Sequence, residues 1–537
     1  MESISAIIGQ CPYLASAERI SPPVPKPAFR WNAAPLNPER HQIRFTLSQV
    51  RSDLAALDDT LANITSIQTR LLQKRDALQV FSDELKTLIP SIRTILPEIL
   101  IEIFYYLKGD YRDEAPARAR AGSLLPTHVC QQWRQIALST PSLWNNIYIN
   151  GSSVSRSLPS SEVKCIKTWL ARSKNSPLSI NLRWNDGWGG KLDFEEGGVW
   201  CAVFGVLLQC RRRWRHAILL WTPTIDFSAL RNNLPLLETL EIHCPYDDVN
   251  IDGNAFEIAP WLSSVTLSPG LTIDTLPWGQ LKFFIHEFVM SILQSLTSLQ
   301  QMSNIVSYDT GIVYDESEDI GFLNTPLHLS KLESLTVCES DQFGMDRYLA
   351  CLTLPSLTSI KLFQDSFNQT PDDCISAVIS LIQRSSCSLK AFEINASGWS
   401  SPLCALLQVT PQLETLGIDG RALEYDFDKT VQLLVAPFGA SSTSCLAPKL
   451  QHLNLRCRPP FEPQAFVNMV DSRWRVTSGG CVTPFKSVRL SGIPSATTFN
   501  SSELERLKAF AAEGLDIEFF TFAGDPILFE KIDSVST

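Results

Sequence analysis

Apolar residues recur along much of the chain in the pattern L-x-x-L-x-L, with polar residues at most intervening positions. Eight segments carry the pattern. Their apolar positions are Leu237, Leu240 and Ile242; Leu262, Val265 and Leu267; Leu332, Leu335 and Val337; Leu357, Ile360 and Leu362; Leu389, Phe392 and Ile394; Leu413, Leu416 and Ile418; Leu450, Leu453 and Leu455; and Phe485, Val488 and Leu490. Because side chains alternate between the two faces of a strand, each segment predicts a short strand with one buried face.

A template that returns this often predicts a repeat structure in which each strand stacks on the one before it. The intervening segments, such as residues 372–386, are apolar at helical spacing and predict an outer layer of helices. We therefore expect an α/β fold: an irregular leucine-rich-repeat solenoid over residues 160–525, with a curved parallel sheet and helices on its convex side. An ordinary doubly wound sheet is the alternative, and eight matches to one template favour the repeat.

Further strands are predicted at both ends of this stack. Residues 177–184 and 214–221 contain alternating apolar positions and would begin it, and Leu515, Ile517 and Phe519 would supply the last strand. Residues 281–288 and 298–306 are weaker candidates for strands between Leu267 and Leu332.

Residues 41–89 follow a different pattern. The apolar residues Leu47, Val50, Leu54, Leu57, Leu61 and Ile64 alternate spacings of three and four, which is a heptad stripe. Such a helix would either pair with a second copy or fold back on the rest of the chain. Gln68 and Lys74 interrupt the stripe and favour folding back. We expect a helix over residues 43–88, with Leu54, Leu57, Leu61 and Ile64 on one buried face.

Residues 95–149 predict a small helical unit. Pro97 stands at the start of the first helix, where its missing N–H costs nothing, and the apolar surface of that helix is wider than one stripe. A second helix carries Val129 and Trp133, and a turn leads to a short third helix around Trp144. A unit this small cannot bury all of its apolar surface, so the remainder must meet another part of the chain or a partner.

These residues resemble the F-box, as it occurs in F-box proteins common in mushroom-forming fungi (basidiomycetes). The resemblance is carried by Leu96, Pro97, Glu98, Ile99, Leu100, Ile103, Phe104 and Leu107, and then by Val129, Cys130, Trp133, Arg134, Ile136, Ala137, Leu143 and Trp144. It implies a three-helix unit that binds a Skp-type adaptor and, through the adaptor, a cullin. It assigns adaptor binding to a set that mixes core and contact positions: Leu96, Pro97, Ile99, Leu100, Ile103, Val129 and Trp133. Residues 108–123 are longer and more charged than the usual connection, and we expect them to form an exposed loop.

Five segments are thus predicted along the chain. Residues 1–40 are Pro-rich without periodicity and predict a disordered arm. The heptad helix (41–89), the F-box (92–149), the leucine-rich-repeat domain (160–525) and a C-terminal tail (526–537) follow.

Composition adds limits on the kind of protein. The 537 residues are 44% hydrophobic and 19% charged, and no apolar run approaches the roughly 20 residues that span a membrane. A net charge of −10 argues against nucleic-acid binding. The fourteen cysteines include no C-x-x-C pair, which favours reduced thiols in a cytoplasmic or nuclear protein.

Catalytic chemistry has little support in the sequence. The chain contains no nucleophile elbow, H-E-x-x-H or P-loop, and residues 187–198 around Lys191 are interpreted as a loop. The seven histidines are dispersed, and the acids near strand ends, Asp226, Asp247, Asp248 and Asp252, are interpreted as solvated loop residues. The one dense basic cluster, Arg211, Arg212, Arg213 and Arg215, is interpreted as a solvated helix end, with Trp214 turned into the core.

We expect neither a catalytic residue, nor a metal, nor a cofactor. The resemblance implies a substrate-recognition subunit of an SCF-type ubiquitin ligase, in which the F-box docks the adaptor and the repeats bind a target protein that the sequence does not name. A leucine-rich-repeat interaction scaffold without a ubiquitin-ligase role is the alternative. An enzyme with an unrecognised site is the third hypothesis.

Overall fold

The computed structural model describes residues 34, 36–88, 95–108, 121–150, 160–183, 198–220, 226–244, 249–250, 254–268, 271–273, 275–315, 325–340, 344–364, 371–395, 402–419, 427–436, 445–456, 461–475, 482–493 and 499–521. Most of the predicted arm, residues 109–120 of the charged connection, the loop around Lys191 and the predicted tail lie outside these residues. The chain divides into two compact units, residues 1–99 and 100–537.

The first unit contains one long helix, α1 (Asn37–Leu88), which confirms the helix predicted over residues 43–88. Glu39 lies in its first turn and Lys86 in its last, so that both charges complement the helix dipole. The apolar face is not buried as expected. Leu54, Leu61 and Ile64 are 54%, 60% and 49% exposed, and Leu57 is half-buried. The first unit by itself therefore does not bury the stripe, and the partner surface that would cover it stays a prediction.

The second unit is built on one parallel sheet of 14 strands that run in chain order from one edge to the other. The strands are β1 (Asn146–Asn150), β2 (Leu178–Arg183), β3 (Trp214–Leu220), β4 (Thr239–His243), β5 (Ser264–Leu267), β6 (Phe283–Ser291), β7 (Ser307–Val313), β8 (Ser334–Glu339), β9 (Ser359–Gln364), β10 (Ala391–Asn395), β11 (Thr415–Asp419), β12 (His452–Arg456), β13 (Ser487–Ile493) and β14 (Asp516–Thr521). Two short parallel pairs, Val249–Asn250 with Leu271–Thr272 and Leu327–His328 with Leu352–Thr353, lie apart from it.

Helices precede the sheet and connect many of its strands. They are α2 (Pro97–Leu107), α3 (Pro126–Val129), α4 (Gln131–Ser139), α5 (Ser160–Arg172), α6 (Gly198–Leu208), α7 (Ile292–Gln301), α8 (Met345–Ala350), α9 (Pro371–Ser385), α10 (Pro402–Val409), α11 (Phe427–Leu434), α12 (Pro463–Trp474) and α13 (Ser501–Ala512). Within the described residues, no helix combines the length and the apolar character needed to cross a membrane.

The burial of the strand residues explains why the apolar pattern recurs. In the strands β4, β8 and β10, accessible and buried positions alternate. The register holds from strand to strand, so Leu335 pairs with Ile360, and Ile360 pairs with Phe392. One face of the sheet thereby buries a continuous row of apolar side chains, with the first leucine of each segment buried in the preceding turn.

This topology confirms the central sequence prediction: Leu240, Leu335, Leu416 and Leu453 lie in strands of the same parallel sheet. The three end strands were also predicted, as was the helix over residues 372–386.

Two strands of the sheet differ from the prediction. The sheet begins at Asn146, earlier than expected, because β1 belongs to it and pairs with β2. Residues 298–306 form the end of α7 and a turn, and the strand begins only at Ser307. The inward positions of β7 are Tyr308, Thr310 and Ile312, and the first two lack the aliphatic signature of the other strands.

Candidate docking surfaces

Helix α2 carries two apolar stripes with different surroundings. Leu100 and Phe104 are fully buried. Ile99 and Ile103, one helical turn apart, are 52% and 37% exposed, and Leu107 on the next turn is 40% exposed. One stripe therefore anchors the helix, and the other is available to a partner.

The anchoring stripe belongs to a well-packed helical unit. The ring of Trp133 on α4 lies 5.0 Å from that of buried Phe104. Trp144 is fully buried, and its indole N–H donates to the carbonyl of Ala137 at 2.8 Å. Its ring lies 5.0 Å from that of Trp169 on α5. This contact fixes the helical segment from α2 to Trp144 against the start of the sheet domain.

Polar contacts hold the C-terminal end of α2 in place. The hydroxyl of Tyr105 hydrogen-bonds to that of Ser142, and the ammonium group of Lys108 donates to the carbonyl of Ser142 at 2.8 Å. Gly122 approaches the same end so closely that a Cβ at this position would overlap the carbonyl of Leu107. The chain therefore returns from the charged connection directly to the end of α2.

The segment after Gly122 adds further exposed apolar side chains. Leu125, which precedes Pro126 at the start of α3, is 54% exposed, and Val129 at the end of α3 is 59% exposed. Thr127 between them is buried, and its hydroxyl donates to the carbonyl of Leu124 at 2.7 Å. The short helix is thus fixed on one side and leaves its leucine and valine accessible.

The seven residues assigned to adaptor binding fall into two groups. Leu100 lies in the core, and Trp133 is half-buried against Phe104. The other five are exposed: Leu96, Pro97, Ile99, Ile103 and Val129. The structure adds Leu107 and Leu125, and also Tyr106, which is 91% exposed. The sequence signal for Leu107 was its place one turn after Ile103.

A second candidate surface is the sheet face opposite the apolar row. On most strands it presents a polar residue between the two inward positions, whereas Ile218, Ile285 and Gly417 take that place on β3, β6 and β11. On the C-terminal strands these residues form ion pairs across neighbouring strands: the Lys361 and Glu393 side chains meet at 2.7 Å, and those of Arg489 and Glu518 at 2.6 Å. All four are partly exposed. On these strands the face is therefore charged, and its charges pair with one another.

Two acidic side chains on this face, Asp309 and Glu393, have distinctive surroundings. Burial raises the pKa of the Asp309 carboxyl on β7, Lys361 opposes this effect, and Glu287 adds to it. Because Gly417 on β11 has no side chain, the Glu393 side chain packs directly over it. A Cβ at this position would lie 2.8 Å from the Glu393 Cγ. The side chains of this face were not singled out from the sequence, although the polar position between two strand leucines marks each of them.

The sequence candidates for chemistry have structural contacts. The Asp226 carboxylate caps a short 3-10 helix by accepting from the Ser228 amide at 2.8 Å, and hydrogen bonds from Ser228 lower its pKa. Asp247, Asp248 and Asp252 lie outside the described residues. Among the residues that the structure describes, there is no group of three or more His, Cys, Asp or Glu that could hold a metal ion.

The basic cluster is mostly engaged in local contacts. The guanidinium of Arg213 donates to the carbonyl of Ser176 at 2.9 Å and to the Ser173 hydroxyl at 2.6 Å. Arg215 pairs with Glu238 at 2.9 Å, and Trp214 is fully buried as predicted. These contacts leave no concentrated basic surface built from the whole run.

No protein-family model and no curated protein matches this chain. The candidate surfaces therefore rest on the residues and contacts described above.

Proposed function

We propose that the chain is a substrate-recognition subunit of an SCF-type ubiquitin ligase, with an F-box formed by α2, α3, α4 and the turn to Trp144. The observation that carries the proposal is the double character of α2. Leu100 and Phe104 are buried, whereas Ile103 and Leu107 remain accessible on a helix that is fixed in place. An accessible apolar stripe on a rigid scaffold is what helix-mediated docking of another protein requires.

The adaptor-binding residues in this proposal are the exposed members of the assigned set. They are Leu96, Pro97, Ile99, Ile103 and Val129, and Leu107 and Leu125 extend them. Leu100 and Trp133 act indirectly, because they hold α2 and α4 in place.

The sheet domain serves as the target-binding part, a leucine-rich-repeat domain in this proposal. Its accessible face offers partly exposed charged residues on several strands, including Lys361 on β9 and Arg489 on β13. Such a surface positions a target without breaking a bond in it, and the ubiquitin transfer would belong to the assembled ligase. The cytoplasm and the nucleus are the compartments in which this function would operate.

Truncation of the exposed stripe tests the adaptor contact. We expect Ile103→Ala or Val129→Ala to weaken binding of a purified Skp-type adaptor by about 1 to 3 kcal/mol, because each removes apolar surface at the contact. Calorimetric titration of the full chain with the adaptor measures the change. Glu102→Ala is the matched control, since Glu102 is an exposed neighbour of Ile103 on α2 and carries no apolar contact surface.

Circular dichroism of each variant shows whether the fold is retained. Undetectable binding of the wild-type chain to a Skp-type adaptor of its own organism would overturn the ubiquitin-ligase proposal and favour a repeat scaffold. Binding that survives both Ile103→Ala and Val129→Ala would place the adaptor on another surface.

A further inference from the structure

The long helix α1 exposes apolar side chains along its length. None of its described side chains from Asn37 to Lys86 is buried. Helical stability in proteins comes mostly from packing an apolar face rather than from the helix alone. A helix of 52 residues, about 78 Å long, therefore needs a partner surface of similar length.

Most of the exposed apolar residues occupy the two seam positions, a and d, of a heptad repeat, and Phe45, Ile67, Leu72, Val80 and Phe81 lie outside them. The d positions are apolar in seven successive heptads: Ile43, Val50, Leu57, Ile64, Leu71, Leu78 and Leu85. The a positions are Leu47, Leu54 and Leu61 in the first half of the helix and Gln68, Arg75 and Ser82 in the second. The seam is thus fully apolar in its first half and half polar in its second.

The width and length of the seam indicate what covers it. In the first half, the flanking e and g positions are polar: Arg44, Thr46, Arg51, Asp53, Asp58 and Thr60. In this half the stripe is limited to a and d, which is narrower than the face that a helix turns to a globular core and fits one other helix. Among the described helices the next longest, α9, has only 15 residues, so only a second α1 matches the length.

The polar seam residues favour an antiparallel pair. When two α1 helices overlap fully in opposite directions, Leu54 faces Leu71 of the second copy and Leu61 faces its Ile64. Each polar a residue then meets an apolar d residue, and Gln68 faces Leu57. In a parallel pair the two Arg75 guanidinium groups would instead meet in the seam, which is unfavourable for like charges.

The charges beside the seam favour the same arrangement. In the antiparallel pair, the g position Asp53 lies next to Lys74 of the second copy, and the symmetry of the dimer forms this pair twice. In a parallel pair, Asp53 would lie next to Asp58 of the second copy, and two carboxylates would repel each other.

We propose that α1 is a homodimerisation helix. Two copies of this chain pair through the a and d side chains of residues 43–85 as an antiparallel coiled coil, with Asp53 of each copy beside Lys74 of the other. The arrangement does not depend on the proposed function, and it places two sheet domains in one particle.

Light scattering of the purified full chain tests the dimer. The expected mass is twice the 60.0 kDa of one chain. Leu54→Glu combined with Leu61→Glu places charges in the seam and should give the single-chain mass. The matched control, Ala55→Glu combined with Ala62→Glu, adds the same charges one position along, on exposed residues outside the seam, and should remain dimeric. A single-chain mass for the wild type, or a dimer that survives the seam variant, overturns the proposal.

A charge exchange tests the orientation. Asp53→Lys should weaken the dimer about tenfold, because it replaces two attractive pairs with two repulsive ones, and adding Lys74→Asp should restore the affinity. Sedimentation at low and high salt measures both, with circular dichroism as the folding control. In a parallel dimer the introduced lysine would face Asp58 and strengthen the pair. An Asp53→Lys dimer tighter than wild type therefore overturns the antiparallel arrangement.

Discussion

Replacing Arg473 by alanine should lower the free energy of unfolding by about 3 to 5 kcal/mol. Arg473 lies at the end of α12 and is fully buried. Its guanidinium donates to the carbonyls of Leu434, Leu446 and Ala447, the last two at 2.7 and 3.1 Å. Leu434 ends α11, so the arginine satisfies a carbonyl that the helix itself leaves unpaired.

The alanine variant removes all of these hydrogen bonds at once and leaves a cavity beside Phe485, whose ring lies 5.7 Å from the guanidinium carbon. Urea denaturation followed by circular dichroism measures the loss. Arg475→Ala is the control two residues further along. Arg475 is 55% exposed and pairs with Glu513 at 3.0 Å, so its removal should cost less than about 1 kcal/mol. Equal losses in the two variants would refute the structural role assigned to Arg473.

The strand pattern could be predicted because burial on one face of a parallel sheet imposes a simple rule on sequence. Leu240, Leu335 and Leu453 obey it, and each is at most 2% exposed. The strand β7 could not be found in this way, because Tyr308 and Thr310 fill two of its three inward positions and only Ile312 is aliphatic. The Tyr308 hydroxyl is tolerated there through its contact with Ser295 on α7, and the Thr310 hydroxyl donates to the carbonyl of Gly311. Single-sequence periodicity carries no information about such contacts.

The candidate docking surfaces could likewise be predicted from the sequence only in part. The pattern of α2 identified its apolar residues but did not separate buried Leu100 from exposed Ile103. That distinction depends on where Trp133 and Phe104 pack. For α1, the interruptions at Gln68 and Lys74 favour folding back over a helix pair. Leu54 and Leu61 are exposed along this helix, and periodicity alone does not say which surface would cover them.

Raising the pH from 9 to 11 should destabilise the chain through two buried tyrosines. Tyr308 and Tyr348 are both fully buried, and their hydroxyls lie 3.0 and 2.9 Å from the Ser295 hydroxyl. Burial raises the pKa of Tyr308 to about 12 and that of Tyr348 well above its ordinary value of 10.0. The folded chain therefore favours the neutral phenols, whereas the unfolded chain ionises them near pH 10.

The free energy of unfolding therefore falls as the pH rises. The contribution of each tyrosine to stability is complete below pH 10, and it is lost as the pH rises from 10 towards 12 for Tyr308 and higher for Tyr348. The loss between pH 9 and pH 11 should be roughly 3 kcal/mol for the two phenols together.

Urea unfolding of the wild type and of Tyr308→Phe combined with Tyr348→Phe, each at pH 9 and pH 11, isolates this effect from other titrating groups. The double variant starts less stable, because the Ser295 hydroxyl loses two buried partners. Its further loss between the two pH values should nevertheless be about 3 kcal/mol smaller than that of the wild type. If the wild type and the double variant lose the same free energy of unfolding between the two pH values, the phenols ionise as readily in the folded chain as in the unfolded one. The buried contact of β7 and α8 through Ser295 would then not exclude water as the structure indicates.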